Sequence, residues 1–184
     1  MGYTTLEALK SFGGFEEDSE DELLDAMIGS ATEIISNYTQ RVFQIDDETT
    51  QDFSRLTRMP GESRFSGQAV YFYEELADVA SAITDSPTVS YFPEDGPPYY
   101  GFLITDGSWA YPTVTVTGYW GYSRTPPPDI EMACLLLSKW LYDSKDTATG
   151  STAVITPEGK VLLPQGLPSA VVKILKPYRK VTSV

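Results

Sequence analysis

Residues 113–146 read TVTVTGYWGYSRTPPPDIEMACLLLSKWLYDSKD, an alternating strand that passes through a turn and three prolines into the most apolar helix of the chain. Val114 and Val116 project to one side and Thr113, Thr115 and Thr117 to the other, the period of two expected of a half-buried strand. Gly118 and Gly121 bracket Tyr119 and Trp120, so a bend or a close backbone approach is expected there. Pro126, Pro127 and Pro128 cannot donate to a ladder, and proline suits a helix only at its start. The helix is therefore expected over about 128–145. Asp129 and Glu131 then fall in its first turn, where negative charge favours the helix dipole. Between Ile130 and Tyr142 only Glu131, Ser138 and Lys139 interrupt the apolar run, which predicts a helix buried on several sides and organising the core.

Working outward, Thr4-Thr5-Leu6-Glu7 reads as a capping box with Thr4 as N-cap, opening a short helix over about 5–12 that Gly13 and Gly14 stop. Ser19-Glu20-Asp21-Glu22 offers a second box. From there Leu23, Leu24, Met27, Ile28, Ala31, Ile34, Ile35, Tyr38 and Val42 recur at three- and four-residue spacing, an amphipathic helix over about 20–41. Extended pieces broken by Gly, Pro and Asp follow: Thr49–Leu56, Gln68–Tyr73, Val79–Thr84, Thr88–Phe92, Gly101–Thr105 and Thr113–Trp120. They predict a small antiparallel sheet over about 48–120, with Glu94–Pro98 as a turn. After Asp146, turn signals at Gly150, Pro157-Glu158-Gly159 and Pro164-Gln165-Gly166 fit either a mobile linker or a hairpin of Ala153–Thr156 with Lys160–Leu163. Ser169–Lys176 has a short helical period that Pro177 breaks, and a basic tail runs from Tyr178 to Val184. The class is α+β: a small helical bundle with an antiparallel β insertion between the two main helices and an extended C-terminal segment.

A length of 184 residues suits one well-buried core. No run approaches the roughly 18 apolar residues of a membrane span, and MGYTTLEALK lacks the order of a signal peptide, so a protein that stays where it is made is expected. Cys134, the one cysteine, lies within the apolar helix and reads as a buried structural thiol. A net charge of −13 argues against gripping phosphate backbone, which takes Lys and Arg. That charge is uneven: residues 1–52 hold thirteen acids against Lys10 and Arg41, whereas residues 157–184 hold five basic residues against Glu158. Such asymmetry points to different partners for the two ends.

The chain has no histidine, which removes Ser/His and Cys/His nucleophilic catalysis and His-ligated zinc. No phosphate-binding glycine motif is present, and no cofactor is implied. The run Glu16–Glu22 lacks the alternation and glycine of a calcium loop and reads as a solvated helix start. Asn37-Tyr38-Thr39 matches a glycosylation acceptor as a pattern only. One catalytic arrangement is conceivable: Glu74 and Glu75 beside Tyr71, Phe72 and Tyr73, with Glu94 and Asp95 near Tyr91, Tyr99 and Tyr100, as an aromatic-lined glycan-binding module or glycoside hydrolase. The plainer reading puts the rings in the sheet core and the acids at turns.

Three blocks carry a resemblance: YTTLEALKSFGGFEEDSEDELLDAMIGSATEIISNYTQRVF (3–43), AVYFYEELADVASAIT (69–84) and VTVTGYWGYSRTPPPDIEMACLLLSKWLYDSKD (114–146). In this order they resemble the head-tail connector, or adaptor, proteins of tailed bacteriophages, over about residues 3–146. The resemblance implies a connector domain at 1–146 and, at 147–184, a linker or hairpin, a short helix and a basic tail. It implies a structural virion protein of the neck, assembled in the host cytoplasm, with no catalytic, cofactor or metal residues and no membrane contact. Such subunits form a homo-oligomeric ring, commonly twelve-fold, beneath the portal protein. The ring extends the channel through which double-stranded DNA passes without specific binding, and it presents a docking surface for a tail or stopper protein. By the family's use of C-terminal segments, Lys173, Lys176, Tyr178, Arg179 and Lys180 are expected to face the portal, and removal of residues 169–184 is expected to leave a folded protein.

Overall fold

The computed structural model describes residues 2–54, 64–66, 69–82, 88–105, 113–145, 154–155, 161–162 and 166–180. They form a mixed α+β molecule of two units, Met1–Arg41 with Pro126–Val184, and Val42–Thr125.

In the first unit, Tyr3 is buried against helix α2 (Asp21–Thr39), its N–H donating to Thr32 Oγ1 at 3.1 Å and its hydroxyl sharing a 2.6 Å bond with Ser36. This anchor displaces the expected cap by one residue. Thr4 is buried, and Thr5 instead caps helix α1 (Leu6–Gly13), accepting from Ala8 N at 3.2 Å. Gly14 ends α1 at φ 70°, a conformation in which a side chain is strained.

The second capping box does not form. Residues Asp18–Glu20 make a 3-10 turn, Ser19 Oγ donates to Glu17, and α2 starts at Asp21 with no side-chain cap. The spacing of its buried residues, Leu24, Met27, Ile28, Ala31, Ile35 and Thr39, is the one the sequence carries. Gln40, at φ 57°, closes the helix before Arg41.

Helix α3 (Pro128–Ser144) buries Ile130, Ala133, Cys134, Leu135, Leu137, Ser138, Leu141 and Ser144, a set too wide for one stripe. Helices α1 and α2 pack on it, as does α4 (Ser169–Leu175). The helix is not covered all round, since Met132 is exposed. Beyond α4 the chain continues through Pro177 in a 3-10 turn, Lys176–Tyr178, because proline is tolerated at the start of a turn. Val171 and Leu175 are fully buried, so α4 belongs to this unit's core, and removing residues 169–184 would open it. Val154–Ile155 and Val161–Leu162 pair antiparallel as a hairpin; the residues around them lie outside the described set.

In the second unit, strands β1 (Thr49–Ser54), β2 (Arg64–Ser66), β3 (Ala69–Ala82), β4 (Val89–Phe92), β5 (Tyr99–Ile104) and β6 (Thr113–Trp120) form one antiparallel sheet in the order β1-β6-β3-β5-β4, with β2 also on β3. Two expected strands, Gln68–Tyr73 and Val79–Thr84, are one 14-residue strand. Its register slips between Tyr71 and Leu76, Leu76 and Asp78, and Val79 and Ser81, and these irregularities absorb the acids that look like a turn. The expected ends Arg55, Leu56, Gln68, Ile83 and Thr84 lie outside the described residues.

Strand β6 runs unbroken through Gly118, where a Cβ would lie 2.5 Å from Asp78 O. The glycine serves a close strand approach, and the distortion sits on β3. Phe53, Val70, Leu76, Phe102, Ile104, Val114, Val116 and Trp120 form the sheet core. Outside it, Thr115 Oγ1 donates to Asp52 at 2.6 Å and Thr50 shares a 2.9 Å bond with Thr117.

The chain's two passages into this unit are stitched together. Tyr122 N donates to Val42 O at 2.9 Å, Ile45 N to Arg124 O at 3.3 Å, and Phe43 packs edge-to-face on Tyr122.

Candidate functional site

The C-terminal segment is held at one end of α2. Thr39 is the last residue of that helix, where carbonyls lack helical partners, and Lys180 N–H donates to its oxygen at 2.8 Å. Arg41 Nη1 donates to Tyr178 O at 2.7 Å. The Tyr178 hydroxyl donates to Asp129 at 3.3 Å, and the Arg179 guanidinium lies 5.8 Å from the Tyr38 ring centre. Of the five residues the resemblance nominates, Lys173, Lys176 and Arg179 are exposed, whereas Tyr178 and Lys180 are half-buried. They form a seated strap with three outward cations rather than a free tail. Sequence reading missed its seat: Thr39, Arg41 and Asp129. Arg41 carried a signal, being one of only two basic residues in the first 52.

At the other end of α2 the acidic run is engaged rather than merely solvated. Lys10 Nζ bonds Asp18 at 2.6 Å and Asp21 at 2.7 Å, while Lys145 Nζ bonds Glu20 at 2.8 Å. Tyr142 OH donates to the other Glu20 oxygen, and Phe15 stacks edge-to-face on the Tyr142 ring at 4.6 Å. Hydrogen bonds from Lys145 and then Tyr142 hold the Glu20 carboxyl below its ordinary pKa, and Glu20 in turn raises Lys145. The bond from Lys10 lowers Asp18. Beside this cluster Leu6, Glu7, Lys10, Ser11, Gly14, Phe15 and Glu16 line a shallow, mostly apolar groove of about 480 Å³.

The carboxylates of the glycan reading are separated by environment. Glu75 is buried, whereas its neighbour Glu74 is exposed and accepts from Gln51 Nε2 at 3.2 Å. Glu94 and Asp95 are exposed in the turn after β4. Tyr91, Tyr99 and Phe72 pack on the sheet core, while Tyr71, Tyr73 and Tyr100 remain exposed. Cys134 is buried, and burial raises its thiol pKa.

Residues 3–61 match the family model of the phage gp6-like head-tail connector protein. The resemblance read from the sequence is borne out there; the blocks at 69–84 and 114–146 lie beyond the match. No curated protein matches the chain. A chain from the neck of an empty GTA particle computed with C6 symmetry is similar over 99% of this chain and 92% of its own, with 14% identity and a TM-score of 0.59. A chain from the virion of a native gene transfer agent (GTA) particle is similar over the same shares, with 14% identity and a TM-score of 0.54. At this identity the likeness is one of fold.

Proposed function

We propose that the protein is a structural, non-enzymatic subunit of the neck of a tailed-phage-like particle, joining head to tail. The observation that carries this is the family match over residues 3–61, which build α1, α2 and the first strand of the sheet. A neck chain of the same fold along nearly its whole length supports it. The helices are the connector body, with the sheet as an insertion between α2 and α3; residues 1–146 act as the connector domain, and 147–184 append the hairpin, α4 and the strap.

In this reading the subunits close into a ring beneath the portal, commonly of twelve copies, a number compatible with the six-fold symmetry of the related particle. The ring extends the DNA channel and offers its far side to a tail or stopper protein. A closed ring needs two different complementary surfaces on each subunit. The strap docks on the portal through Lys173, Lys176, Tyr178, Arg179 and Lys180. Lys173, Lys176 and Arg179 make the first contact because they already face outward. No observation favours the glycan alternative, because the Glu74–Glu75 pair does not share one environment.

Electron microscopy of the protein mixed with its portal tests the reading. A ring of density coaxial with the portal is expected, and a portal left bare would overturn it.

A further inference from the structure

We propose that the groove beside α1 is the socket for the α4 face of a second copy of this chain, giving a head-to-tail contact between neighbours. The inference rests on the ring reading above and assigns its two surfaces; it gives Lys173 and Lys176 to the neighbouring copy and leaves the portal contact to Arg179 with Tyr178 and Lys180.

Both surfaces belong to the first unit: the groove adjoins the start of α2, and α4 leads into the strap that is tied to its end. Asp21, the first residue of α2, is tied to Lys10 in the groove wall at 2.7 Å, and Thr39, the last, accepts from Lys180 of the strap at 2.8 Å. Eighteen steps along this 19-residue helix hold these ends about 27 Å apart, at about 1.5 Å per residue. The groove tied to one end and the strap tied to the other are separate surfaces of the subunit, as a heterologous contact requires.

The two surfaces match in chemistry. The groove floor is apolar, with Leu6 and Phe15, and Phe12 is exposed on the same helix. Its rim carries the exposed carboxylates Glu7 and Glu16. Lys10, the cation in the lining, is already neutralised by Asp18 and Asp21. On α4, Ala170, Lys173 and Pro177 share one exposed stripe at three- and four-residue spacing, and Lys176 stands beside it. That surface offers two outward cations, Lys173 and Lys176, flanked by the small apolar groups of Ala170 and Pro177, and it is opposite in charge to the carboxylates that line the apolar groove. Opposite charge at a rim sets register and encounter rate more than affinity, so the contact should weaken as salt rises.

The test is self-association of the full-length chain, measured by sedimentation, with portal binding as a second readout. Wild type is expected to associate with concentration, and E7K/E16K and K173E/K176E are each expected to weaken this about tenfold. The four changes combined restore it, because the reversed charges again face one another; a variant that had merely misfolded would not recover. Raising salt from about 0.05 M to about 0.5 M, which shortens the screening length roughly threefold, should weaken wild type as well. A wild type that stays monomeric, single reversals without effect, or a combined variant that fails to recover would each overturn the contact. Loss of portal binding in K173E/K176E with unchanged self-association would overturn it while leaving the portal reading intact.

Discussion

The Tyr91 hydroxyl is buried and finds no hydrogen-bond partner among the described residues, and the ring that carries it has its centre 5.5 Å from that of Tyr99 and 6.2 Å from that of Phe102. Burial, and then Tyr99, push its pKa up, as expected of a dehydrated phenol. A buried polar atom left unpaired costs about 1–3 kcal/mol, so Tyr91→Phe should stabilise the protein by up to roughly 1 kcal/mol, read as a higher Tm. Glu20 presents the opposite case, because its charged form is the one held by Lys145 and Tyr142. Its folded pKa lies below the ordinary 4.5, so the stabilisation is complete above that value and is lost as pH falls through the folded pKa. Lys145, raised by the same contact, loses its share only as pH rises past the ordinary 10.5. Thermal melts across the acid range should therefore show wild type losing stability below about pH 4.5, and Glu20→Gln flattening that slope; an unaltered slope would mean that the pair adds nothing to stability.

Helix α3 shows how far a pattern predicts an element. Its apolar run placed it at the centre of the helical unit, and Leu137, fully buried, is expected to cost about 2–5 kcal/mol when changed to Ala, whereas exposed Met132 should cost no more than about 0.5 kcal/mol. Urea titration of the two variants separates a core position from a surface one within the same run. Helix α2 was equally legible, because three- and four-residue spacing is a local property of the chain. Strand β3 was not: each register slip changes which side chains face inward, so the parity that identifies a strand is lost partway along it. The seat of the strap was hidden for a different reason. Arg41 and Tyr178 stand 137 residues apart, and no local pattern records their hydrogen bond. Arg41→Ala should leave the fold intact and loosen residues 176–180, seen as faster amide exchange at Lys180, whose N–H is tied to Thr39.

The charge of the whole molecule bears on what it can bind. The helical unit holds fourteen acids against nine basic residues, net −5, and the sheet unit twelve against four, net −8. Neither unit therefore has a surplus of cations, and binding to duplex DNA draws its affinity from cations that displace counterions from phosphate. The three outward cations of the strap, Lys173, Lys176 and Arg179, are the densest basic patch described, and the ring reading gives them protein partners rather than phosphates. In the proposed ring, a channel wall of such subunits would repel the duplex weakly and hold it nowhere, a condition under which DNA can slide. The protein should accordingly leave duplex DNA unshifted in a mobility assay even near about 0.05 M salt, where weak screening favours cation–phosphate contacts. If DNA is retained, and the retention falls with salt at a slope of several ions, the basic strap faces the channel instead of its neighbours. K173E/K176E would then abolish the shift.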